Sequence, residues 1–164
     1  MKQFIFSHIL IYFFCLTFFG CYSFTGSSIP KHLKTISIPL VNDESGFGDP
    51  TLKEKLTNKL KEKILQDNSL LISDNQNFDS ILEGKILSVT NEASVIKAGE
   101  RVSEKKVVIS VSFSFTDKIL KKKVWEKTFS NFGVYEINSP IENAIDDAIE
   151  KMSEDIILAT VSNW

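Results

Sequence analysis

The sequence predicts an α+β fold of two layers, with two helices packed on one face of a four-stranded mixed sheet in the order β-α-β-β-β-α. Three observations predict it. Leu52, Leu56, Leu60 and Ile64 recur at every fourth position among charged residues. Ile141, Ile145, Ala148, Ile149, Met152, Ile156 and Ala159 recur at spacings of three and four. Each pattern marks a helix with one apolar stripe, which needs one layer to pack against. Between them, Val107, Ile109, Val111, Phe113 and Phe115 alternate with Val108, Ser110, Ser112, Ser114 and Thr116. That is a strand with one buried and one polar face; a sheet covered on both sides would show a continuous apolar run instead.

The chain opens on a segment of different character. Of 13 phenylalanines, Phe4, Phe6, Phe13, Phe14, Phe18 and Phe19 crowd into residues 1–20, whose one charge is Lys2. The apolar stretch Ile9–Phe19 is shorter than the ~20 residues a helix needs to cross ~30 Å of hydrocarbon. A positive start, an apolar middle and a small residue at the exit describe a secretory signal peptide over residues 1–20, with an uncleaved membrane anchor as the alternative. Phe18-Phe19-Gly20-Cys21 resembles the bacterial lipobox, with Phe18 where that pattern prefers Leu. The resemblance implies that Cys21 receives a diacylglycerol and an N-acyl chain. At ~0.8 kcal/mol per buried methylene, three acyl chains hold a protein on a membrane essentially permanently. Tyr22, rather than Asp, favours the outer membrane. Cys15 falls in the leader, so no disulfide is expected, and a domain of this size folds without one.

Residues 21–34 are expected to be the lipidated cysteine and a Ser/Gly/Pro-rich tether, and residues 35–164 the domain. Thr35–Val41 reads as a first strand, Ile36, Ile38 and Leu40 against Ser37 and Pro39. Pro39 has no N–H to give a ladder, so it belongs on an edge or at the strand's exit. After a loop, Asp49 caps and Pro50 starts the first helix. Lys53, Lys55, Lys59, Lys61 and Lys63 cover its other sides, and Glu54 and Glu62 among them favour a solvated face over a lipid or phosphate surface. Asp67-Asn68-Ser69 ends it, and Leu70–Ile72 can start a short strand.

Ser80–Val95, Val107–Thr116 and Val124–Tyr135 form an antiparallel meander, with loops near Ala98-Gly99 and at Leu120–Lys123. Ser139-Pro140-Ile141-Glu142 is a capping box that opens the last helix, expected to reach about Ser162. A right-handed crossover through the first helix sets the first strand parallel to one of the others.

The formal charge of −2 for the whole chain gives no basic excess for nucleic-acid binding. After loss of the leader one histidine remains, His32, in the tether. No Ser-His-Asp or Cys-His arrangement forms unless it moves beside an acid. Clustered His and Cys for zinc are absent from the sequence. Asp43, Glu44 and Asp49 lack EF-hand spacing. Gly46-Phe47-Gly48 lacks the third glycine of a phosphate loop, and Asp49 would repel an anion. Among 21 acids no glycosidase-style pair stands out. Neither an enzyme nor a cofactor is expected. Two basic groups remain: Lys97, Arg101, Lys105 and Lys106 at the first meander loop, and Lys118, Lys121, Lys122 and Lys123 at the second. Alternate loops of a meander lie at opposite ends of the sheet. Such clusters either protect strand edges or meet anionic head groups, with Arg101 the strongest phosphate contact.

Several stretches taken together carry a family resemblance. They are Gly20-Cys21-Tyr22-Ser23-Phe24, the run Ser27-Ser28-Ile29-Pro30-Lys31-His32-Leu33-Lys34-Thr35-Ile36 followed by Ile38-Pro39, Leu82-Glu83-Gly84, and Val124-Trp125-Glu126. From Cys21 to the last helix the chain resembles the lipopolysaccharide-assembly lipoprotein family, LptE. The resemblance implies the same two-helix, four-strand arrangement. It also implies an outer-membrane lipoprotein seated as plug and assembly partner in an LptD-like β-barrel, helping to deliver lipopolysaccharide to the outer leaflet. A polar-faced domain suits a polar barrel lumen. Lipopolysaccharide phosphates would supply a ligand for Lys97, Arg101, Lys105, Lys106, Lys121, Lys122 and Lys123. The alternative is a periplasm-facing interaction module such as a cell-wall synthase activator, which would need a longer linker than residues 22–34.

Overall fold

A computed structural model describes residues 29–75, 77–93, 104–162 and 164. The expected leader, Cys21 and the loop at Ala98-Gly99 lie outside them. In chain order the elements are β1 (Thr35–Ser37), β2 (Asn42–Asp43), α1 (Leu52–Asp67), β3 (Leu71–Ile72), β4 (Ser80–Ala93), β5 (Glu104–Asp117), β6 (Lys122–Glu136) and α2 (Glu142–Ser162). The sheet order is β3-β1-β4-β5-β6, with β2 also on β4. β1 runs parallel to both β3 and β4, and β2 parallel to β4. β4, β5 and β6 form the antiparallel meander. The two-layer α+β arrangement is as expected, with two-residue strands β2 and β3 added to the four strands the periodicity marks.

Pro39 shortens the first strand. β1 ends at Ser37, and pairing resumes only at Asn42 in β2. Between them the Val41 N–H donates to Thr57 Oγ1 of α1 at 3.1 Å, so a buried backbone group bonds a helix side chain instead of a ladder. Helix α1 also starts later than expected. Thr51 is its N-cap and makes no side-chain cap bond. Asp49 instead accepts the Thr51 N–H at 2.8 Å and the Thr51 hydroxyl at 2.7 Å, an Asx turn leading into the helix. At the other end Asn68 is left-handed, φ +57°, and its N–H donates to Ile64 O.

The core forms where the two apolar stripes meet one face of the meander. Leu52, Leu56, Leu60 and Ile64 of α1 and Ile145, Ala148, Met152 and Ile156 of α2 pack with Leu82, Ile86, Val107, Ile109, Val111, Phe113 and Phe115. Fully burying each of the larger side chains stabilises the fold by about 1.5–3 kcal/mol. Two glycines let layers approach closely. A Cβ on Gly84 would overlap the Phe113 ring, and one on Gly133 of β6 would overlap the Ala144 carbonyl in the first turn of α2. The lysines of α1, expected on a solvated face, in part meet the acids of α2. Lys55 pairs with Asp146 at 2.9 Å, Lys59 with Glu150 at 3.1 Å, and Lys63 with both Glu150 and Glu154.

Candidate functional site

Strand alternation gives the sheet a second face, and among the described residues no helix or strand covers it. Ser110 stands between Ser88 and Ser130, Ser112 between Lys85 and Thr128, and Ser114 between Glu83 and Glu126. The Ser110 and Ser130 hydroxyls hydrogen-bond across the strands at 3.0 Å. A shallow depression of about 250 Å³ lies at the centre, with Glu83, Lys85, Ser112, Ser114 and Glu126 around Gly84 and Phe113. The surface is hydroxyl-rich and carries both signs of charge. Its centre offers hydrogen bonds to a polar wall, while toward the Lys105–Lys106 end Val108, Phe132 and Val134 share the face.

The two ends of this face differ. At one end the β5–β6 turn is braced from beneath. Asp117, the last residue of β5, is 1% exposed; its carboxylate accepts from Leu120 N–H at 2.8 Å and pairs with His32 Nε2 at 2.7 Å. Burial pushes the Asp117 carboxyl up, but the His32 bond and the turn's backbone N–H groups outweigh it and hold it below its ordinary value. Beside it, Asp79 accepts the backbone N–H groups of Lys34 and Thr35 at 2.8 and 3.0 Å, and its N–H donates to Thr35 Oγ1. The Lys34 N–H is the chief cause holding the Asp79 carboxyl low. Residues 29–34, the end of the expected tether, therefore lie on the sheet. Leu33 is buried and Ile29 packs against the core. His32, which the sequence leaves far from any acid, sits on one after all. Its partner is 85 positions away, and no local pattern announces it. The pair acts as a brace, joining the segment before β1 to the turn after β5.

Of the expected site residues, Lys121, Lys122 and Lys123 lie in or beside that turn. Lys121 has φ +52°, and Lys123 pairs with Glu126 at 2.6 Å. Lys105 and Lys106 lie at the opposite end of β5. Lys106 pairs with Glu92 at 2.9 Å and lies 5.8 Å from the Phe132 ring centre. The fourteen residues of β5 separate the two groups by roughly 40 Å at about 3.3 Å per residue. The fold therefore keeps the groups apart. Lys97, Arg101 and Cys21 lie outside the described residues. Sequence reasoning passed over Ile119 and Leu120, 50% and 64% exposed at the tip of the turn; their place inside a lysine run was the available signal. Among the described residues no cluster of His, Cys, Asp and Glu suits a metal ion, and no helix is long and apolar enough to cross a membrane.

Solved structures share this fold. The hypothetical protein CT253 from Chlamydia trachomatis is 10% identical, over 80% of this chain and 97% of that one, with a TM-score of 0.60. The rare lipoprotein B from Shewanella oneidensis is 12% identical over 79% and 95%, at 0.53. A minor lipoprotein from Acinetobacter baumannii is 15% identical over 79% and 94%, at 0.52. At such identities the likeness is one of fold. No curated protein sequence matches significantly. The profile of the lipopolysaccharide-assembly family LptE, however, matches residues 33–160, from the braced segment before β1 to the last turns of α2. A match over that length makes this chain a member of the LptE family.

Proposed function

We propose that the protein is an outer-membrane lipoprotein, acylated on Cys21 after removal of residues 1–20, that plugs and helps assemble an LptD-like β-barrel and assists passage of lipopolysaccharide to the outer leaflet. The uncovered Ser/Thr face of β4, β5 and β6 carries this reading, on a chain whose family is one of lipopolysaccharide assembly. Barrel lumens are polar, and a flat hydroxyl-lined surface can exchange bonds with water for bonds with such a wall at little cost. The dimensions agree. A β5 of roughly 40 Å, at ~3.3 Å per residue, can span the ~30 Å hydrocarbon thickness. Ile29 and His32 lie at the braced end, so a lipid anchor on Cys21 would hold that end at the near leaflet and leave the Lys105–Lys106 end toward the far one. Lys105 and Lys106, with Lys97 and Arg101 of the adjoining loop, are our candidates for the phosphates of the transported lipid.

Photo-crosslinking from Ser112 and Thr128 in living cells tests this. The expected product is an adduct with the barrel, and depletion of the protein should leave the barrel misassembled and surface lipopolysaccharide reduced. Adducts with a cell-wall synthase, or normal surface lipopolysaccharide after depletion, would overturn the reading.

A further inference from the structure

At the braced end of the sheet, charge and apolar surface are sorted in a way that plugging a lumen does not require. We propose that this end is a membrane seat: the Ile119-Leu120 tip enters the headgroup region of the leaflet that holds the lipid anchor, and Lys31, Lys118, Lys121 and Lys122 contact its anionic phospholipids. The inference rests on the reading that Cys21 is acylated.

Three observations support it. First, Ile119 and Leu120 are among the most exposed large apolar side chains of the fold, adjacent, and flanked on both sides by lysine. Apolar side chains ringed by cations are what an interfacial contact uses. Second, the two acids at the base of this turn are committed within the fold, and the exposed Glu126 beside it is paired with Lys123. Asp117 is committed to His32 and Leu120 N–H, and Asp79 to Lys34 and Thr35 N–H. The lysines point outward, and among the described residues Lys31, Lys118, Lys121 and Lys122 make no ion pair, whereas those of α1 are largely matched by α2. Third, the described chain begins here, at Ile29. The eight residues back to Cys21 span at most ~28 Å when fully extended, at ~3.5 Å per residue. An acylated Cys21 therefore keeps this end close to the bilayer, and the His32–Asp117 brace places the turn beside the point where the chain arrives.

The test uses the full acylated chain in vesicles. With Cys15 removed and Cys21 acylated, Leu120→Cys provides a single thiol for a fluorophore; Ile137→Cys, 44% exposed at the opposite end of β6, serves as the control. Quenching by brominated phospholipid should be several-fold stronger at position 120 than at 137. It should grow when phosphatidylglycerol is added to phosphatidylcholine, and fall when Lys121→Glu and Lys122→Glu are introduced together. Equal quenching at both positions, or none at 120 in a chain that floats with the vesicles, overturns the seat and leaves the anchor standing. A chain that does not float refutes the acylated anchor, and the seat with it.

Discussion

Asp117 joins three parts of the chain through one carboxylate: β5, which it ends, the turn that follows, and His32 from the segment before β1. Hydrogen bonds to a buried charge contribute about 1.5–3 kcal/mol. Asp117→Ala should therefore lower unfolding stability by about 2 kcal/mol, as read from denaturant midpoints. The pH dependence follows from its depressed pKa. A carboxyl held below its ordinary 3.8 contributes stability that is complete above about that pH and is lost as the pH falls through the folded value. Below pH 4, Asp117→Asn should lose stability less steeply than the parent protein. Ser153 is the opposite case. It is fully buried in α2 and its hydroxyl has no partner among the described residues. Burying an unpaired polar atom costs about 1–3 kcal/mol, so Ser153→Ala should stabilise the fold by about 1 kcal/mol. Gly133→Ala should cost about 3 kcal/mol, because the added methyl meets the backbone of α2, which cannot turn aside as a side chain could.

Between α1 and α2 the charges form a ladder of exposed to half-buried pairs. Lys63 draws the Glu150 carboxyl below its ordinary range, with Lys59 the second cause. Water screens much of this, since pairs at this exposure contribute about 1 kcal/mol or less. Glu150→Gln should accordingly cost under about 1 kcal/mol in low salt, and the difference should nearly vanish at about 1 M salt, where the screening length is ~3 Å. Element type and extent were largely legible beforehand. β4, β5, β6 and both helices lie close to where apolar periodicity puts them, because a stripe of Leu52, Leu56, Leu60 and Ile64 has one way to be buried. β1 was legible only in part. Its apolar alternation runs on to Leu40, but a strand needs a ladder as well as a face, and Pro39 removes the donor. β2 and β3 are two residues each, too short to carry a period.

Taken as one body, the protein is a sheet with one dry face and one wet one. Ser112 sits in the middle of the wet face, and among the described residues no helix lies over it. Ser112→Glu should change the stability of the isolated protein by under about 1 kcal/mol, because Ser112 is half-buried on an open face and stands across from Lys85. The same change should cut co-purification with a β-barrel partner several-fold if that face is the contact. The candidate basic residues were legible as two groups, because alternate loops of a meander must lie at opposite ends. Their unequal surroundings were not.

Which side of each long element is apolar, and hence that the molecule has two layers and an uncovered serine row, is decided by neighbours two to four positions apart, and a linear string records those completely. That His32 meets Asp117, that the lysines of α1 answer the acids of α2, and that cations and an apolar tip are left facing outward at one end of the sheet are decided by chain packing. Those contacts join residues 85 to 91 positions apart, and nothing in the local pattern at either partner depends on the other.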